Sequence, residues 1–338
     1  MQQTDNKDET LPFGIGDLDT NVVEVPADER SVQCFVHGCT EILRVPTRKF
    51  RGDVCPVHGI RCHYSSRKPT YSYVDTRRNI VASSNLFASE IVGHPFKFES
   101  HRLGAERSED ALSWNVFRSL QEAGRLKVLA ESITGIRSSI EPVLYLWGIC
   151  TAEDSCEPWH LLVEARKRFE SCLPVERPLT EPDIALHLPG KYLILIEAKF
   201  TSKNTFYKEG PRPNASSLTK DELVDIYQDS QLQILNVRAA EQANRVFYQL
   251  WRNTMFAEWM SQLDHRDTKA FHVNLVMDGQ DEDSAFEFRR LINERFQSRF
   301  QRTTWETIYR DLADHPRLIR LRRYLETKTA GLKQAFRL

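Results

Sequence analysis

The chain has 338 residues, of which 41% are hydrophobic and 28% charged, and its 46 Lys+Arg against 47 Asp+Glu leave a formal net charge of −1. These values fit a globular protein and exclude a disordered, collagen-like or fibrous chain. No apolar run reaches the roughly 18 residues of a membrane span, and the polar, acidic opening Met1-Gln2-Gln3-Thr4-Asp5 is not that of a secretory signal peptide, so the expectation is a cytoplasmic protein without a membrane partner.

Residues 1–30 carry eight Asp/Glu against two Lys/Arg, lack periodicity and read as a flexible acidic tail. Residues 31–70 form the next block. Four of the seven cysteines lie here, and an odd, clustered set in an intracellular chain points to a metal site rather than a disulfide framework. Cys34-x4-Cys39 is followed by fifteen residues and then Cys55-x2-His58. Two short-range pairs supply the four tetrahedral S/N ligands that Zn²⁺ takes, and Gly38 and Gly59 stand where tight knuckles need positive φ. The block resembles a zinc ribbon, with His37, Cys62 and His63 as alternative ligands. Four protein ligands make a structural site. The nearby bases Arg44, Arg48, Lys49, Arg51, Arg61, Arg67 and Lys68 suit phosphate or a solvated face.

Residues 71–100 are connecting strands, with Tyr71-Ser72-Tyr73-Val74 the clearest. Ser108 is an N-cap, Glu109 and Asp110 suit the first turn, and Leu112, Val116, Phe117, Leu120 and Ala123 form a stripe that ends at Gly124. Val143–Trp147 reads as a buried strand and 158–171 as a second helix. Asp183–Leu188 alternates, Pro189-Gly190 turns the chain, and Tyr192–Ile196 is the continuous apolar run of a central strand. Residues 201–218 read as a loop, and Thr219-Lys220-Asp221-Glu222 as a capping box opening a helix. Phe271–Val276 is a further strand, and the chain from about Ser284 reads as helical. Strands interleaved with helices indicate an α/β or α+β core.

The chemistry concentrates at Glu181-Pro182-Asp183 and Glu197-Ala198-Lys199. Glu197 and Lys199 point to one face at the end of a buried strand. With the turn centred on Gly190, opposed residues have numbers summing to 380, which places Asp183 opposite Glu197. Two facing carboxylates repel unless a cation neutralises them. Mg²⁺ takes one or two protein carboxylates and leaves positions for water and phosphate, and Lys199 can orient the attacking water or stabilise charge on phosphorus.

Pro182-Asp183 and Glu197-Ala198-Lys199, set among helix, strand, turn, strand, helix and strand, resemble the PD-(D/E)xK nuclease superfamily over about residues 101–280. The resemblance implies an α/β, restriction-endonuclease-like core with a mixed central sheet flanked by helices. It implies Mg²⁺-dependent (or Mn²⁺-dependent) phosphodiester hydrolysis with Asp183 and Glu197 as metal ligands and Lys199 as the catalytic cation. It further offers Glu109 as a first-helix metal ligand and Gln231 as a contact to substrate or water. The first-turn acid favouring the helix dipole and the solvated helix glutamine remain the alternatives for those two. Residues 125–180 are longer than in compact members.

The C-terminal block, 281–338, is basic: residues 286–338 hold thirteen Lys/Arg against six Asp/Glu, a net of +7. Arg317, Arg320 and Arg323 recur at i, i+3, i+6 and suit phosphate. The expected function is a DNA endonuclease of restriction or phage-defence type acting on double-stranded DNA, as a homo-oligomer or within a defence complex. A catalytically silent nucleic-acid-binding subunit and an RNA nuclease are the alternatives. The chain lacks H-E-x-x-H, a Walker loop and G-x-S-x-G, which removes metalloprotease, NTPase and α/β-hydrolase readings.

Overall fold

A computed structural model describes residues 31–36, 38–46, 51–65, 68–82, 90–97, 102–152, 156–171, 173, 179–204, 232–236, 247–312 and 314–336. The acidic segment 1–30, most of the loop expected over 201–218, the capping box at Thr219–Glu222, Gln231 and Cys172 lie outside these residues. The chain divides into two compact units: Met1–Asn85 with His101–Ser119 and Leu312–Leu338, and Leu86–Ser100 with Leu120–Asp311.

In the first unit, β1 (Ser31–Gln33) pairs antiparallel with β2 (Ile42–Arg44), and β3 (Ile60–Ser65) with β4 (Lys68–Tyr73). The first long helix, Glu109–Glu122, starts as its sequence requires: Ser108 Oγ accepts from the Ala111 backbone N–H at 3.0 Å, and Glu109 and Asp110 occupy the first turn. Gly124, φ 66°, follows its end. The helix Ile319–Thr327 buries Leu321, Tyr324 and Leu325, while Arg320, Arg322 and Arg323 are exposed. Arg317, also exposed, sits in the preceding 3-10 turn Pro316–Leu318.

The segment after that helix completes the cysteine module. Leu332 belongs to one buried cluster with Val32, Cys34, Phe35, Cys55, Ile60 and Tyr71. Its backbone N–H donates to Glu106 Oε1 at 2.8 Å, and the Tyr71 and Thr329 hydroxyls are 3.3 Å apart. A few dozen residues around four short strands cannot bury an apolar core alone, so a distant stretch of chain closes it.

The second unit holds a six-stranded mixed sheet in the order β10-β9-β8-β7-β5-β6. Its strands are β5 (Val143–Leu146), β6 (Ile149–Cys150), β7 (Ile184–Leu188), β8 (Tyr192–Ala198), β9 (Lys269–Val276) and β10 (Phe300–Thr304). β8 runs antiparallel to β7 and parallel to β9. Every residue of β7 and β8 is buried, the environment that a continuous apolar run requires. The helices His160–Glu170 and Tyr248–Asp264 pack Leu162, Phe169, Trp251, Met255 and Phe256 into one cluster with Leu193 and Leu195 of β8.

Three expectations need correction. The chain beyond Ser284 is not wholly helical: β10 extends the sheet by pairing parallel with β9. Its sequence, Phe-Gln-Arg-Thr-Thr, hides it, because an edge strand is only partly covered and carries no apolar run. The strand read over 143–147 ends at Leu146, where Trp147 (φ 53°) and Gly148 (φ 79°) turn the chain into β6. The helix read over 158–171 spans His160–Glu170, and an unanticipated helix, Leu126–Thr134, precedes β5. No described helix is long and apolar enough to cross a membrane.

Candidate active site

The hairpin β7–β8 pairs Ile184 with Ile196 and so on to Leu188 with Tyr192, so every opposed pair sums to 380. Gly190, at φ 71°, sits at the centre of the three-residue turn. Continued by one residue, this register sets Asp183 across from Glu197. Asp183 Oδ2 accepts from the Ala198 backbone N–H at 2.8 Å, and its carbonyl accepts from the Trp147 N–H at 3.1 Å. The aspartate is therefore tied to β8 and to the turn that follows β5.

Glu197 is 3% exposed. Lys199 Nζ donates to its Oε1 at 2.5 Å, and Asn253 Nδ2, from the helix Tyr248–Asp264, donates to its Oε2 at 2.7 Å. Burial alone pushes the Glu197 carboxyl up. The Lys199 ammonium, with Arg252 and His272 behind it, outweighs burial and holds the carboxyl below its ordinary value. Lys199 is itself buried, and its backbone is pinned by N–H to Leu275 O at 2.7 Å and by the Trp305 indole N–H to its carbonyl at 3.0 Å. His272 lies on β9, shares a 2.7 Å hydrogen bond with Thr254 Oγ1, and is pushed down to about 4 by burial despite Glu197, so it is neutral at physiological pH.

Buried charges also anchor the approach to Asp183. Lys97 Nζ donates to Glu181 Oε1 at 3.0 Å, with both side chains almost wholly enclosed. Arg166 donates to the Thr180 carbonyl at 2.8 and 2.6 Å, and burial lowers it to about 10. Glu170 accepts from the Thr180 N–H at 2.8 Å. The Asp183 strand thus enters the sheet through a fixed polar path, which limits the freedom of its carboxylate.

The structure places Asp183, Glu197 and Lys199 at one end of one hairpin. Glu109, half-buried, opens its helix in the other unit, and Gln231 lies outside the described residues. Sequence reasoning missed Asn253, His272 and the Lys97–Glu181 pair. Asn253 is 1% exposed in a helix that buries Leu250, Trp251, Met255 and Phe256 but also Thr254, Glu258 and Ser261, so its polarity alone did not single it out.

In the first unit the Sγ atoms of Cys34, Cys39 and Cys55 and a ring nitrogen of His58 lie within 4.8 Å of one another. Cys34 Sγ and Cys55 Sγ are 3.6 and 3.4 Å from His58 Nδ1, and Cys39 Sγ is 3.9 Å from Cys55 Sγ. Zn–S bonds of about 2.3 Å and Zn–N bonds near 2.0–2.1 Å give tetrahedral edges of roughly 3.8 Å (S–S) and 3.6 Å (S–N). The cluster therefore has the donor set and the dimensions of a zinc site. Gly38 (φ 72°) and Gly59 (φ 60°) turn the two knuckles, and the Cys55 N–H reaches Ile60 O at 2.8 Å. Cys62 is buried beside these residues but is outside the four-atom group. His37 and the side chain of His63 lie outside the described residues.

No curated protein and no solved structure matches the chain. A family match begins at residue 76, beyond the Cys/His cluster, and takes in β5–β10 and all of the hairpin that carries Asp183, Glu197 and Lys199. It spans residues 76–328, well over half of the chain, and the protein belongs to the family described as restriction endonuclease associating with ARP.

Proposed function

We propose that this protein is a Mg²⁺-dependent nuclease that hydrolyses phosphodiester bonds in double-stranded DNA. The observation that supports the reading is that Asp183, Glu197 and the buried Lys199 stand at one end of β7 and β8, in a chain of restriction-endonuclease kinship. Asp183 and Glu197 offer the hard oxygens that Mg²⁺ or Mn²⁺ takes, and their like charges call for a cation. Such a cation, when bound, lowers the pKa of a water and polarises a phosphoryl oxygen. Lys199 supplies a desolvated ammonium beside the reacting phosphate, where charge stabilisation is worth most. The Ala198 N–H keeps Asp183 against β8, and Asn253 keeps Glu197 in place.

Zn²⁺ held by Cys34, Cys39, Cys55 and His58 has a structural role in this reading, since four protein ligands leave no open position. The exposed Arg317, Arg320 and Arg323 provide a phosphate-binding surface. The setting is restriction or phage defence in the cytoplasm. The family description names an association with ARP, and co-purification tests whether this chain has such a partner, or another copy of itself, bound to it.

The test of function is incubation with supercoiled, linear and single-stranded DNA and with RNA, in Mg²⁺, Mn²⁺ or EDTA. Cleavage of duplex DNA that EDTA, Asp183→Ala and Glu197→Ala each abolish supports the reading. Metal-dependent cleavage of RNA alone moves the substrate to RNA. Tight nucleic-acid binding without cleavage in either metal makes the chain a silent binding subunit.

A further inference from the structure

Glu197 is enclosed, yet its two oxygens are treated differently. Oε1 is held by Lys199 from the same strand, and Oε2 by the Asn253 amide from the helix Tyr248–Asp264. Lys199 is a long, flexible chain whose ammonium can turn away. Asn253 is a short one on a rigid element whose neighbours Trp251, Met255 and Phe256 are locked in the core. An amide in that company costs stability, the more so because Asn253 Oδ1 is buried and has no hydrogen-bond partner among the described residues. The hydrogen bond to Glu197 is what this amide does with its buried position.

We propose that Asn253 is a positioning residue for the Glu197 carboxylate: by fixing Oε2, it sets the plane of the group and reserves Oε1 as the oxygen that turns from Lys199 to a divalent cation. This inference rests on the metal-dependent reading of the Asp183–Glu197 pair. Partners of this kind, behind a metal ligand, typically change metal affinity about 10–100-fold when removed.

The experiment is Mn²⁺ binding to the full chain at neutral pH, read by electron paramagnetic resonance, for the wild type, Glu197→Ala, Asn253→Leu and Asn253→Ala. Leucine preserves volume and helix but cannot donate, and alanine serves as the second variant should leucine disturb the packing. The expected result is Mn²⁺ bound by wild type, lost in Glu197→Ala, and weakened about tenfold in a folded Asn253 variant. A merely structural role would lower the melting temperature and leave the Mn²⁺ affinity of the folded protein where it is. Unchanged affinity in a folded Asn253 variant, with loss in Glu197→Ala, would overturn this inference alone. No Mn²⁺ bound by wild type would overturn it together with the metal-dependent reading.

Discussion

Lys199 and Glu197, two residues apart on one strand, close on each other at 2.5 Å in a place where water scarcely reaches either. Removing one member leaves the other as an uncompensated buried charge, which typically costs about 3–5 kcal/mol. Lys199→Ala should therefore lose both stability and cleavage, the latter by orders of magnitude. The double variant Glu197→Gln/Lys199→Met should recover most of the stability and none of the activity. Denaturant unfolding beside a plasmid assay measures both, and nicking by the double variant would remove the pair from the chemistry.

His272 gives stability a pH dependence. Its folded-state value, about 4, lies below the 6.5 of an ordinary imidazole. Below pH 6.5 the unfolded chain takes up a proton that the folded chain refuses until about pH 4, so stability is complete above 6.5 and declines across that window. The difference corresponds to roughly 3 kcal/mol. Glu197, held below its ordinary value, adds a loss at still lower pH. The urea midpoint should fall between pH 7 and 5 in wild type and fall less in His272→Phe, where His187, also held below its ordinary value by burial, leaves a residual slope. Parallel losses in the two proteins would assign the effect to another group.

Elemental analysis of protein purified without chelator should find about one zinc per chain. Chelation should expose the segment 31–73 to hydrogen exchange and, with it, residues 328–336, because Leu332 shares the buried cluster of Cys34 and Cys55. The strands β7–β9 should stay protected. A protected C-terminal segment in zinc-free protein would show that the cluster holds without its metal.

Affinity for duplex DNA should fall steeply with salt. The triple variant Arg317→Ala/Arg320→Ala/Arg323→Ala should reduce the slope by about one unit for every phosphate that those arginines neutralise. An unaltered slope with a changed oligomeric state would place these arginines at an interface between chains.

How much of this could be read from the sequence depended on how local the cause was. The Asp183–Glu197 register was legible because a short turn around Gly190 leaves the hairpin one alignment, and a slip of one residue would turn each side chain to the opposite face. The Cys34, Cys39, Cys55 and His58 cluster was legible because knuckle spacing is local. β10 was hidden, because its pairing with β9 rather than its composition makes it a strand. Asn253 could not be told from the other polar residues its helix buries, since its partner is 56 residues away. The hydroxyls of Tyr71 and Thr329 meet across 258 residues of chain, and no periodicity announces a meeting of that range.

That last pairing bears on how the protein is made. Translation delivers the Cys/His cluster between residues 34 and 58, but the leucine that seals its core is residue 332. A nascent chain must carry its thiols past the synthesis of residues 59–331 with that core unsealed. Early metal capture would guard those thiols against oxidation on the ribosome, and a message cut short before codon 332 would yield a product whose cysteine module stays open to quality-control proteases.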